Sequence, residues 1–244
     1  LDPFLMIDEI RADEAADYMG GFPPHPHRGI ETFTLMFDGG FEHRDHLGHR
    51  EALRDGGAQW MSTGRGVIHS EMPLAQEGRL HGFQLWVNLP AAQKMKAPEY
   101  AQADAAALPQ RELPGGARAK VFGGRWQLEG EEVASPLDRL AAGARVLELV
   151  LPAGSATTLP VPPAESVLVY VIDGALAGEQ PVQAGQTAIF GAGDALALHA
   201  GQAGARLLVL AGRPLGEPIA HYGPFVMNTE AEIRQAIADY RAGT

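Results

Sequence analysis

The sequence predicts an all-β protein made of two successive β domains, and three observations carry that reading. Thirty Gly and 18 Pro in 244 residues supply turns at a density that favours strands over helices. Short apolar strands recur in both halves with Gly, Pro or Asp between them, the pattern of a sandwich or barrel. From Ala91 to about Gly116 the composition shifts to Ala, Gln and Pro, including AQADAAALPQRELPGG, which marks an inter-domain connection. A boundary inside it gives domains 1–108 and 109–244.

Taken in order, residues 1–10 (LDPFLMIDEI) read as a short strand and residues 11–24 as a loop. Residues 29–37 (GIETFTLMF) form a strand rich in β-branched and aromatic side chains, Asp38-Gly39-Gly40 a turn, and residues 41–47 the return strand. Ala58–Met61 and Val67–Glu71 are strands around the break Thr63-Gly64-Arg65-Gly66, a tight turn that sets the register of the strand after it. Residues 80–89 end the half at Pro90, with one more short strand near Tyr100. In the second half, residues 145–151, 166–172, 187–190, 195–199 and 206–210 are apolar strands. Thr229-Glu230-Ala231-Glu232 reads as a capping box opening a C-terminal helix, with Ile233, Ile237 and Tyr240 on one face.

Composition narrows the function. There is no Cys, so thiolate chemistry and disulfides are excluded, and a reducing cytoplasm is the expected location. The net charge of -11 disfavours direct nucleic-acid binding, which relies on neutralising phosphates. Neither a membrane-length apolar run nor a signal-peptide pattern is expected.

The strongest chemical signal lies in two short pairs, His25-Pro26-His27 and His69-Ser70-Glu71. Residues i and i+2 of a strand share a face, so each pair can aim two ligand atoms at one point if the strands are neighbours. Three imidazoles and a carboxylate leave open positions on a six-coordinate ion, as in iron(II) sites that handle oxygen. Glu31 is an alternative carboxylate, because strand parity also places it with His25 and His27. His43 is close enough in sequence to approach the pocket, while His46 and His49 read as solvated turn residues. His81, His199 and His221 read as structural or exposed, and Phe33, Met36, Trp60 and Trp86 as core.

Gly21-Phe-Pro-Pro-His-Pro-His-Arg-Gly-Ile-Glu-Thr32, Glu42-His-Arg-Asp45, Gln59 through Pro73, and Gln84-Leu-Trp-Val-Asn-Leu-Pro90 together resemble the pirin family of the cupin superfamily. In the second half the likeness rests mainly on Gly212-Arg-Pro and His221 through Thr229. The resemblance implies two tandem cupin β-barrels of the jelly-roll type with a short C-terminal helix. It implies one divalent metal ion in the N-terminal barrel, held by His25, His27, His69 and Glu71, and none in the second, where SATTLPVPPAE (155–165) offers no imidazole. Iron(II) is the ion it suggests, and Cu, Ni, Mn, Co or Zn can occupy such sites.

The same resemblance implies a metal-dependent dioxygenase opening the ring of a flavonol such as quercetin with O2, with Glu71 as catalytic base. The alternative it carries is a non-catalytic iron-binding regulator with a transcription factor or metabolic enzyme as protein partner. Metal affinity is expected to fall as pH drops through the histidine range, since ligands must be deprotonated.

Overall fold

The computed structural model describes residues 1–74 and 78–243. Contacts divide them into two units, Phe4–Ala105 with Leu215–Thr244, and Leu1–Pro3 with Ala106–Pro214.

The first unit opens with β1 (Phe4–Ala12) and the one-turn helix α1 (Ala15–Tyr18), which interrupts the expected loop. There follow β2 (Phe22–His27), β3 (Ile30–Asp38), β4 (Gly40–Asp45), β5 (Arg50–Arg54), β6 (Ala58–Ser62), β7 (Val67–Pro73), β8 (Leu80–Asn88) and β9 (Glu99–Ala103). They form two sheets, ordered β1-β8-β3-β6-β9 and β2-β7-β4-β5. The expected return at Asp38-Gly39-Gly40 is not a hairpin: β3 pairs with β6 and β8, while β4 pairs with β5 and β7. The chain crosses between sheets there, with Gly39 at φ +76°. At Gly40 a Cβ would lie 2.2 Å from the Leu53 carbonyl oxygen, so only glycine lets the backbone pass this close to β5.

Met36 and Leu80 from one sheet meet Phe41 and Leu53 from the other, with Tyr18 of α1, in one buried apolar cluster. Each such side chain contributes about 1.5–3 kcal/mol of burial. The two sheets therefore hold together at this end by oil, which leaves the other end of their shared interior for polar groups.

The second unit comprises β10 (Gln110–Leu113), β11 (Ala117–Gly123), β12 (Arg125–Leu128), β13 (Glu131–Ala134), β14 (Arg145–Leu151), β15 (Ala156–Pro160), β16 (Ser166–Leu176), β17 (Val182–Gln183), β18 (Thr187–Phe190) and β19 (Ala195–Gly212). The main sheet runs β10-β11-β14-β19-β16-β17, with β15 on β19 and β18 on β16. Residues 195–199 and 206–210, expected as separate strands, belong to the single long β19, whose start pairs with β15 and whose end lies between β14 and β16. Its interior is apolar, with Leu147, Leu149, Val167, Val169, Leu207 and Val209 all buried. The strand orders are open paths, so the expected closed barrels are replaced by sheets with free edges in both units.

β20 (Ala220–Tyr222), β21 (Phe225–Met227) and α2 (Glu230–Ala242) complete the chain. The sequence boundary put them in the second domain, but their contacts are with the first unit. Arg28 bridges Phe225, and the Val226 amide donates to the Arg28 carbonyl at 3.1 Å. Gly29, at φ +81°, makes this approach possible, since a Cβ there would sit 2.0 Å from the Val226 oxygen. Buried Lys94 donates to Gly29 O (2.7 Å), Asn88 Oδ1 (2.6 Å) and Val226 O (3.0 Å), tying β21 to the core of this unit. The capping box forms at Thr229 and Glu232 as the sequence predicts. Ile233 and Ala236 pack on Phe225 and Met227 with Ile237 beside them, whereas Tyr240 remains 45% exposed. Among the described residues no helix is long and apolar enough to cross a membrane.

Candidate metal centre

β2 and β7 are antiparallel neighbours, with His25 opposite His69. Alternation along the two strands turns His25, His27, His69 and Glu71 to one side, while Pro26 and Ile68 face the other. One potential ligand atom from each of His25, His27 and His69 lies within 4.8 Å of the others. Ring centroids stand 4.8 Å apart for His25 and His27, 4.4 Å for His25 and His69, and 5.1 Å for His27 and His69. A second group within the same limit joins His43, His69 and Glu71, so His69 is shared.

The hydrogen bonds show which nitrogens are offered. His25 Nδ1 lies 2.8 Å from the Pro23 carbonyl and His27 Nδ1 lies 3.3 Å from the Pro224 carbonyl. A carbonyl only accepts, so each Nδ1 carries the proton and each Nε2 keeps its lone pair. Nε2 of His27 and of His69 are buried with no hydrogen-bond partner. Buried polar nitrogens are costly to leave unpaired, and two of them on rings this close are what a cation would satisfy. The donor set therefore fits a divalent ion of borderline softness.

Burial dominates the electrostatics. It draws His27 down to about 3 and, joined by its neighbouring imidazoles, His69 to about 2. Burial thus keeps these two rings neutral far below the ordinary histidine range. Glu71 is fully shielded, and desolvation pushes its carboxyl upward against hydrogen bonds from Gln84, Thr34 and Gln59. Gln59 Nε2 donates to Oε1 at 2.5 Å, and Gln84 Nε2 to Oε2 at 2.6 Å. Tyr100 orients the first amide by donating to Gln59 Oε1 at 3.1 Å. The carboxylate from the four-stranded sheet is thus cradled by β3, β6 and β8 of the other.

Glu31 is not part of either ligand group among the described residues. The parity argument assumed a continuous strand, but Gly29 breaks it and β3 lies in the opposite sheet. On β3, Thr34 faces Glu71 and Glu31 therefore points to the other side.

Most other side chains take the parts the sequence predicts, His43 among them, while His49 and Trp86 depart from theirs. His43 is fully buried, 3.5 Å from His69 through the two Nδ1 atoms. His49, expected in solvent, bonds Asp45 Oδ2 at 2.7 Å, and exposed His46 accepts the Ile68 amide at 3.1 Å. Trp86 stands edge-on to His27 at 5.1 Å and so walls the site, whereas Phe33, Met36 and Trp60 are core. His81 is buried on Glu9, His199 and His221 are exposed, and Gly64-Arg65-Gly66 is the expected tight turn. Pro224 was illegible because its role is a backbone carbonyl delivered 197 residues away. His43 and Asp45 carried a weak signal, an i, i+2 pair on a strand opposite β7.

Comparison with known proteins identifies the family. The pirin family model matches residues 1–87, and the model of the pirin C-terminal cupin domain matches residues 146–244. The chain belongs to the pirin family. Within that family it is 48% identical over 242 residues to a Vibrio cholerae protein provisionally named a quercetin 2,3-dioxygenase, covering 99% of this chain and 86% of that one. Human pirin is 36% identical over 248 residues, covering 99% of this chain and 82% of its own. A solved quercetin 2,3-dioxygenase structure from Acinetobacter baumannii superposes with a TM-score of 0.89 at 33% identity, over 100% of this chain and 86% of that one. The fold of this pirin-family chain is accordingly the cupin fold.

Proposed function

We propose that this chain is a metal-dependent dioxygenase that opens the ring of a flavonol such as quercetin with O2 and releases carbon monoxide. The observation that carries the proposal is the pair of buried, partnerless Nε2 atoms of His27 and His69 next to His25 and the cradled Glu71. Relatives named as quercetin 2,3-dioxygenases support the substrate class.

In this reading His25, His27 and His69 hold one divalent ion, iron(II) by preference, with Glu71 as the fourth ligand. When bound, the ion supplies Lewis acidity toward an oxygen of the substrate and the means to engage O2. The chain's own residues do the rest. Glu71 takes the proton of the flavonol 3-hydroxyl as general base, and the Gln59 and Gln84 amides favour its ionised form against burial. Trp86, edge-on to His27, offers an apolar wall for a flat ring. The cytoplasm is the proposed location.

The test is anaerobic loading with iron(II), then quercetin and air, with flavonol absorbance and carbon monoxide followed together. Bleaching with carbon monoxide release supports the reading. No turnover with iron, copper, nickel, manganese or cobalt overturns it.

A further inference from the structure

A ligand imidazole can bind a cation only through a nitrogen that carries no proton, so something must decide which nitrogen of each ring is free. For His25 and His27 a backbone carbonyl decides it. His69 has no carbonyl: its Nδ1 faces His43 Nδ1 at 3.5 Å, nitrogen against nitrogen, and that contact alone leaves open which one donates.

The far side of His43 settles it. His43 Nε2 lies 3.2 Å from Asp45 Oδ2, and both side chains are fully buried. The other oxygen, Oδ1, already accepts the backbone amides of Leu47 (2.9 Å) and His49 (3.0 Å). A carboxylate in this position only accepts, so His43 must donate from Nε2, which leaves its Nδ1 as an acceptor. His69 must then donate from Nδ1, and its Nε2 is left bare. That bare atom is the one buried without a partner beside His25 and His27. Tyr100 stacks on His43 at 4.4 Å and 21°, and on His49 at 5.1 Å and 26°, which holds the imidazole plane in the orientation this chain of bonds needs.

We infer that Asp45 and His43 are positioning residues that set the tautomer of His69, so that its Nε2 is presented to a metal ion without a proton to expel. The inference rests on the metal-site reading above, and it assigns the Asp45–His43–His69 line a polarity that runs in one direction. Outer partners of ligand histidines commonly change metal affinity by about 10–100-fold when altered.

Asp45→Asn is the informative substitution because it is isosteric and reverses the polarity. The two backbone amides hold the remaining oxygen at the Oδ1 position, so the new NH2 group falls where Oδ2 was and points one hydrogen at His43 Nε2 and the other at His49 Nδ1, which contacts the same oxygen at 2.7 Å. His43 is then driven to carry its proton on Nδ1, and His69 to carry its own on Nε2. Nitrogen-15 NMR of the metal-free protein reads the tautomer directly, and zinc(II) titration of the same samples reads affinity. The expected results are an Nδ1-protonated His69 in the wild type, an Nε2-protonated His69 in Asp45→Asn, and about 10–100-fold weaker zinc binding in the variant.

His43→Phe keeps a ring on Tyr100 but removes both nitrogens, freeing His69 to adopt either tautomer, so its affinity should fall between the other two. A purely structural role predicts the opposite order, with the isosteric Asp45→Asn the milder change. An Nε2-protonated His69 in the wild type, which needs no variant to fold, overturns the inference. So does zinc affinity within two-fold of wild type in Asp45→Asn. If instead His69→Ala binds zinc as tightly as wild type, the metal-site reading itself fails, a result separate from the first two.

Discussion

Gly29→Ala tests how the C-terminal return supports β2, the strand of the candidate ligands His25 and His27. Gly29 follows β2 by two residues, sits at φ +81°, and would place a Cβ 2.0 Å from the Val226 oxygen. Two costs add. The left-handed backbone costs an alanine about 1–2 kcal/mol. Moving Val226 away breaks the bond from its amide to Arg28 O (3.1 Å) and the one from Lys94 Nζ to its carbonyl (3.0 Å). A neutral hydrogen bond contributes about 1 kcal/mol and one to a charged group about 1.5–3, so this seam adds about 3 kcal/mol.

Gly48→Ala isolates the first cost, because Gly48 is at φ +96° with nothing within 4 Å of a Cβ. At about 2–4 °C per kcal/mol for a chain of this size, Gly29→Ala should melt about 6–12 °C below Gly48→Ala. Because Pro224 O holds His27 Nδ1, zinc affinity should also fall in Gly29→Ala alone. Equal melting of the two variants in a thermal scan would refute the claim that β21 is seated through this contact.

His69→Ala should abolish zinc binding measured by elemental analysis, since His69 belongs to both ligand groups, while exposed His199→Ala should leave metal content unchanged. His27 and His69 are held neutral when folded, to about 3 and about 2, but take up protons near 6.5 when unfolded. The unfolded state therefore binds more protons below that value, and metal-free stability should fall as pH drops from 6.5 toward 4, by up to about 2.7 kcal/mol per pH unit for two protons. Urea unfolding across that window reads the slope, and a flat profile contradicts the burial of the two rings. Gln84→Leu removes the 2.6 Å donor to Glu71 Oε2, so Glu71 should hold its proton to still higher pH and the pH midpoint of zinc binding should move upward.

Much of the centre was legible in the chain. Two His-x-(His/Glu) pairs on strands give a shared face by a rule that depends only on the extended backbone, and β2 and β7 obey it. The capping box at Thr229 was equally local, four residues whose partners lie within one turn. Where reasoning depended on a strand continuing, it failed: Gly29 and Gly39 end β2 and β3 and send the chain to the opposite sheet, which turned Glu31 away and made a crossover of an expected hairpin.

The sequence by itself determined the candidate ligand types, their spacing and the all-β class, because each is a property of neighbours along the chain. Only the tertiary structure decided that the last segment joins the first unit, that Pro224 fixes His27, and that Asp45 reaches His69 through His43. Those facts depend on hydrogen bonds and close backbone approaches between distant residues. Apart from the weak i, i+2 signal of His43 and Asp45, no local pattern encodes them, because a carbonyl looks the same at every position until folding places it.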